Sequence, residues 1–100
     1  MIDLTSKQRK VLERCAQNLQ SVVIVGDAGV TSNVEAMTRE MLRIHELIKI
    51  SFNQFKDEKK LLAEKLAHAC DATLVRIIGN KAILYKASDE RDKQKYEKLL

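Results

Sequence analysis

Gly26-Asp27-Ala28-Gly29 stands directly after the apolar run Val22-Val23-Ile24-Val25, in a chain with only three glycines and no proline. Two glycines within four residues mean that the backbone there must turn sharply or be approached closely. A G-x-x-G corner has no Cβ at either end, so a sugar-phosphate backbone can pack against bare main chain. Val30 and Thr31 lead from it into a helical pattern near Asn33. The unpaired amides and positive dipole end of that helix would point at the same place. Upstream, Lys7, Lys10 and Arg14 follow i, i+3 and i+7, a cationic stripe along one side of a helix that could neutralise neighbouring phosphates. Together these groups have the chemistry of a clamp for a polyanion.

Two alternative roles for the glycines compete with that one. A tight strand-to-helix loop would use glycine for its backbone freedom alone. A dinucleotide site is the second, but its fingerprint needs G-x-G-x-x-G, and 100 residues leave no room for a second mononucleotide half.

The elements that must position these residues are readable in outline. Thr5-Ser6-Lys7-Gln8 is a capping box, and Val11, Leu12, Cys15, Ala16 and Leu19 repeat on one helical face behind it. Ser21 to Val25 is short, β-branched and continuous, as expected of a central strand covered on both sides. Ser32-Asn33-Val34-Glu35 offers a second capping box, followed by Val34, Met37, Met41 and Ile44 at helical spacing. Leu47 to Phe52 alternates, which places Lys49 opposite Ile48, Ile50 and Phe52 and so in solvent; a solubilising role and a phosphate contact suit it equally. Lys56 to Lys60 is a charged connection, and a third helix carries Leu62, Leu66, Ala69 and Cys70 inward. Thr73 to Ile78 and Ala82 to Lys86, separated by Gly79-Asn80-Lys81, form a hairpin. The order α-β-α-β-α-β-β predicts an α/β fold with a mixed four-stranded sheet and packed helices. Residues 1–87 are expected to form one domain, with 88–100 a charged tail that could be helical.

Composition narrows the class. The chain is 45% hydrophobic and 32% charged, too apolar for disorder, and its apolar runs fall short of the roughly 18–20 residues that span a bilayer. The opening Met1-Ile2-Asp3-Leu4-Thr5 turns polar too soon for a secretory leader, so the cytoplasm is expected. Net charge is +4. Between Thr5 and Gln20 four basic residues face the single acid Glu13, whereas the tail from Asp89 onward is balanced, so the excess belongs to the domain body. Cys15 and Cys70 are isolated and read as buried free thiols. His45, at a helix end, and His68, near Cys70, show no metal-ligand spacing, so no metal or cofactor is expected. Phe52, Phe55, Tyr85 and Tyr96 form no spaced stacking platform, which argues against a sheet that reads single strands by stacking; Phe52 reads as core, and Phe55 has no assigned place. No paired acids in apolar surroundings and no nucleophile context point to catalysis or a small-molecule substrate.

The segments LTSKQRKVL, VVIVGDAGVT, HELIKI and VRIIGNKAILYK occur in the order and spacing of the CRM domain (chloroplast RNA splicing and ribosome maturation), whose free-standing bacterial form is often called YhbY. The chain resembles that family from about Leu4 to Lys86. The resemblance implies a fold similar to the C-terminal domain of the third bacterial translation initiation factor. It also implies an RNA-binding surface at Gly26, Asp27, Ala28 and Gly29, with Val30 and Thr31 leading into the helix, and an association with precursors of the large ribosomal subunit. Two positions depart from the family pattern. Asp27 follows the first glycine where a lysine or small polar residue is common, and its carboxylate opposes phosphate unless it points away or cradles an amide. Ser21 stands where the family has proline.

The function expected is therefore that of a monomeric protein docking on structured ribosomal RNA. Lys7, Lys10, Arg14, residues 26–31, Asn33 and Lys49 are the candidate contacts. A KH-type RNA module, whose G-x-x-G joins two helices, and a protein-interaction adaptor that never touches RNA are the alternatives.

Overall fold

The computed structural model describes residues 3–100; Met1 and Ile2, part of the opening that reads against a leader, lie outside the described residues. Helix α1 (Ser6–Ala16) starts as its capping box dictates. Thr5 Oγ1 accepts from the Gln8 N–H at 3.1 Å, and Gln8 Oε1 accepts from the Thr5 N–H at 3.0 Å. Two orphan donors are thereby satisfied, and such a cap stabilises a helix by about 1 kcal/mol. The chain continues through β1 (Ser21–Val25), α2 (Ser32–His45), β2 (Leu47–Phe52), α3 (Lys59–Ala69), β3 (Thr73–Ile78) and β4 (Lys81–Tyr85).

The four strands form one mixed sheet in the order β1-β2-β4-β3, with β1 parallel to β2 and the other pairs antiparallel. This is the α/β architecture that the element order predicts. Gly79 and Asn80 make a two-residue hairpin turn, and Gly79 takes φ +59, as the first central position of a II′ turn requires.

Alternation divides the sheet between two cores. Val23, Val25, Ile48, Ile50, Phe52, Ala82 and Leu84 pack with Leu42 of α2 and with Ala63, Leu66 and Ala67 of α3. Leu47, Val75, Ile83 and Tyr85 face the other way and pack with Leu12 and Ala16 of α1. Arg9 anchors that helix: its Nη1 donates to the carbonyls of Leu74 and Val75, both at 2.7 Å, where the register of β3 shifts. Two ladder carbonyls at the irregularity are thus satisfied by a side chain.

Several expectations need correction. β1 is an edge strand, not a central one, and only one of its faces is covered. α1 packs over β2 and β3, so Ile24 is left 58% exposed, while Val22, beside Leu19 and Tyr96, is only partly covered at 37%. A continuous β-branched run cannot by itself distinguish two-sided burial from an exposed apolar edge. The second helix is capped one residue earlier than expected, by Thr31, whose Oγ1 accepts from the Val34 N–H. Val34 and Met41 pack against the core as expected, but the face is centred on Thr38 and Leu42, and Met37 and Ile44 are exposed. Thr38 can be buried because its hydroxyl donates to the Val34 carbonyl at 2.7 Å. In α3, Ala69 is exposed and Ala63 and Ala67 are core instead. Of the two thiols, Cys70 is buried and Cys15 only partly so.

Residues beyond β4 return to the body. Glu46, the left-handed residue after α2 at φ 64, is 2% exposed. Its carboxylate accepts from the backbone N–H groups of Ser88 and Lys95. Short 3-10 turns follow at Arg91–Lys93 and Glu97–Leu99. Tyr96 meets Tyr85 edge to face, with ring centroids 6.3 Å apart, and the Tyr85 phenol donates to Glu97 at 3.3 Å. Burial first, then the carboxylates of Glu97 and Glu46, push the ionisation of Tyr85 far above the ordinary tyrosine range.

Candidate nucleic-acid interface

The end of the sheet where β1 stops is assembled from three strands. The Asn53 N–H donates to the Val25 carbonyl at 3.0 Å, and the Phe52 N–H donates to the Asn80 carbonyl at 2.8 Å. The glycine loop, the segment after β2 and the β3–β4 turn therefore lie side by side, spread over about 10 Å for three neighbouring strands.

Within the loop the Gly29 N–H donates to the Gly26 carbonyl at 3.0 Å, closing a four-residue turn. The two glycines serve different purposes. Gly29 takes φ +74, so the turn itself needs it. Gly26 has no left-handed φ, and a Cβ built on it would meet nothing within 4 Å. Conformation and packing therefore do not demand glycine at 26, and its main chain lies open to whatever approaches. Asp27 and Ala28 are exposed between them, and Val30 and Thr31 are partly buried on the way into α2. Asn33 is exposed in the first turn of that helix. Because the loop joins a strand to a helix, it lacks the helix-to-helix setting of a KH motif.

On the α1 side of the sheet, toward this same end, the helix leaves part of the face uncovered. A cleft of about 610 Å³ results. Lys10, Glu13, Arg14 and Gln17 form its helical wall, and Lys49, Arg76, Ile78, Lys81 and Ile83 its floor. Five cationic side chains thus surround a single carboxylate. Ile78 and Lys81 flank the hairpin turn, which carries the cleft to the end of the sheet where Gly26 leaves β1.

Not every cation is equally available. Lys49 is half-buried and its Nζ donates to the Gln17 carbonyl at 3.1 Å, so it closes the C-terminus of α1 as well as lining the cleft. Arg76 reaches Glu13 at 3.4 Å, with both side chains partly exposed. Lys7 is exposed but does not line the cleft. Of the residues expected at a phosphate surface, then, Lys10, Arg14 and Lys49 converge, the glycine loop lies at the adjoining sheet end, and Lys7 stands apart.

Sequence reasoning misses Arg76 and Lys81 as cleft residues and Phe55 as a neighbour of the loop. A two-residue turn at 79–80 would place Arg76, Ile78, Lys81 and Ile83 on one face by alternation, but by pattern alone Lys81 belongs to the turn and Arg76 protects an edge. Phe55 has no periodic signal, because its position depends on a left-handed backbone at φ 57. Among the described residues no group of three or more His, Cys, Asp or Glu could hold a metal ion, and no helix is long and apolar enough to cross a membrane.

Known proteins share this fold. The family model of the CRS1 / YhbY (CRM) domain matches residues 4–86. The probable RNA-binding protein YqeI of Bacillus subtilis is 39% identical over 88 residues, which cover 87% of this chain and 92% of that protein. An RNA-binding protein of Haemophilus influenzae is 33% identical over 91 residues, 90% of this chain and 92% of its own length. The solution structure of SAV1595 from Staphylococcus aureus, described as a candidate RNA binder, superposes with a TM-score of 0.77 at 34% identity, covering 93% of this chain and 98% of that one. The glycine corner, the basic first helix and the final hairpin thus sit on a shared scaffold, and the chain belongs to the CRS1 / YhbY (CRM) domain family.

Proposed function

We propose that this chain binds RNA, docking on structured ribosomal RNA of the large-subunit precursor and assisting its assembly as a cytoplasmic monomer. One observation carries the reading: a cleft lined by Lys10, Arg14, Lys49, Arg76 and Lys81 runs to the sheet end where Gly26 presents bare main chain. Phosphates entering the cleft exchange condensed counterions for fixed cations. The neighbouring phosphate reaches the glycine turn and the first amides of α2, where the helix dipole favours negative charge. Neither device reads base identity, so recognition rests on the path and spacing of the backbone. Ribosomal RNA as the target is the expectation of the family resemblance, and the RNA-binding relatives support the broader class.

The test is crosslinking in cells followed by sequencing of the attached RNA, alongside binding to purified RNA across a salt series. Enrichment of large-subunit precursor RNA and a steep salt dependence are expected. Ile24 and Ile78, 58% and 50% exposed on the same sheet face as the cleft, favour a protein-docking adaptor as the second reading. Apolar association would leave affinity nearly independent of salt.

A further inference from the structure

Phe55 belongs to neither core cluster and is 42% exposed, whereas Phe52, three residues earlier, is 1% exposed and in the core. Its backbone is left-handed at φ 57, a state that bulky residues rarely occupy. The segment around it is tied at both ends. The Asn53 N–H donates to the last carbonyl of β1, and the Phe55 carbonyl accepts from the Glu58 N–H at 3.1 Å as the chain enters the Lys56–Glu58 turn. The result is a ring set beside the glycine corner. A Cβ on Gly29 would stand 3.5 Å from Cε2 and 3.8 Å from Cζ of Phe55.

We infer that Phe55 is a stacking platform for an unpaired nucleobase whose backbone phosphate lies on the Gly26–Gly29 corner. This rests on the RNA-binding reading and deepens it: the preferred ligand is not a continuous duplex but RNA with an unstacked base beside a structured element. The chemistry follows from placement. A base held in a duplex must give up pairing and stacking to leave it, but a bulged or terminal base already has a free π-face, and every base offers one, so an aromatic ring can take it without reading its identity. With glycine at 29 no side chain rises between the corner and the ring edge, so a nucleotide can bridge the two. Lys56, the next residue, is exposed and adds a cation there. The lack of a row of aromatics, which excludes multi-base readers, does not affect a site for one base.

The test uses the full chain and an RNA hairpin bearing a short unpaired tail, with 2-aminopurine at each tail position in turn. Phe55→Leu keeps an apolar side chain on the same backbone and removes the ring; Phe55→Trp restores one. Stacking on a single aromatic corresponds to an affinity loss of about fivefold to a hundredfold on its removal. Phe55→Leu is expected to show that loss with an unchanged salt slope, Phe55→Trp to recover affinity, and one 2-aminopurine position to report stacking only when a ring is present. A blunt hairpin without the tail should bind wild type and Phe55→Leu equally. Wild-type affinity for the tailed hairpin in Phe55→Leu, or a 2-aminopurine signal indifferent to the ring, overturns the stacking site while leaving RNA binding intact. If the wild-type chain binds neither hairpin, the RNA-binding reading falls, and the stacking site with it.

Discussion

The guanidinium of Arg76 on β3 lies 3.4 Å from the carboxylate of Glu13 on α1, an ion pair reaching from the floor of the basic cleft to its wall. Glu13 is the one acid among the cleft residues, and it occupies a cation that would otherwise face the opening. Partly exposed pairs of this kind contribute little to folding. Its consequence falls on binding instead. Glu13→Gln should raise affinity for RNA several-fold at low salt and steepen the log–log salt slope by up to about 1, since one more phosphate can be neutralised. Titration of labelled RNA at several salt concentrations reads both, and unchanged values would remove Arg76 from the interface.

The two loop glycines should separate stability from binding. Gly26→Asp meets open space without a backbone penalty, so the melting temperature should hardly move while RNA affinity falls. Gly29→Asp places a side chain at φ +74 and should also cost about 1–2 kcal/mol of folding stability. Thermal melts paired with binding curves distinguish them. Full affinity in a stably folded Gly26→Asp variant would mean that RNA does not approach that corner.

Local signals in the chain are enough to identify the elements, and less so to say what covers them. The Thr5 and Gln8 box, the alternation from Leu47 to Phe52 and the turn glycine at 79 each act over a few residues, so the pattern specifies them directly. Whether the second face of β1 is covered depends on where α1 lands, and that is decided by long-range contacts such as Arg9 with the Leu74 and Val75 carbonyls. The same reason applies to the cleft. Lys10 and Arg14 are legible as a helical stripe, whereas Arg76 and Lys81 join them only once the hairpin register is known. A left-handed Phe55 and a tail anchored by Glu46 leave no mark on the periodicity at all.

That tail anchor makes a third prediction. Glu46→Ala removes the acceptor for the Ser88 and Lys95 amides and should cost about 2 kcal/mol, because hydrogen bonds to a charged acceptor are among the stronger ones. Amide exchange should accelerate at those two residues, and the denaturation midpoint should fall. Unaltered exchange would mean that the tail is held by its apolar contacts alone.

Alkaline pH should act through Tyr85. Its ionisation is raised in the fold, chiefly by burial, so the unfolded chain loses the phenolic proton first. The stabilisation is complete below the ordinary tyrosine value of about 10 and is lost as pH rises beyond it. Tyr85→Phe, which keeps the ring against Tyr96, should flatten the decline of stability above that pH. Denaturation midpoints at neutral and alkaline pH provide the comparison, and parallel declines in both proteins would show that Tyr85 does not couple to folding.

The salt dependence of RNA binding tests the cleft most directly. Engagement of about four phosphates gives a log–log slope near −3 for the wild-type chain. Lys10→Gln, Arg14→Gln and Lys81→Gln combined should bring it to about −1, while Lys7→Gln alone, outside the cleft, should leave it almost unchanged. A slope that survives the triple substitution, or collapses on loss of Lys7, would place the RNA on another surface.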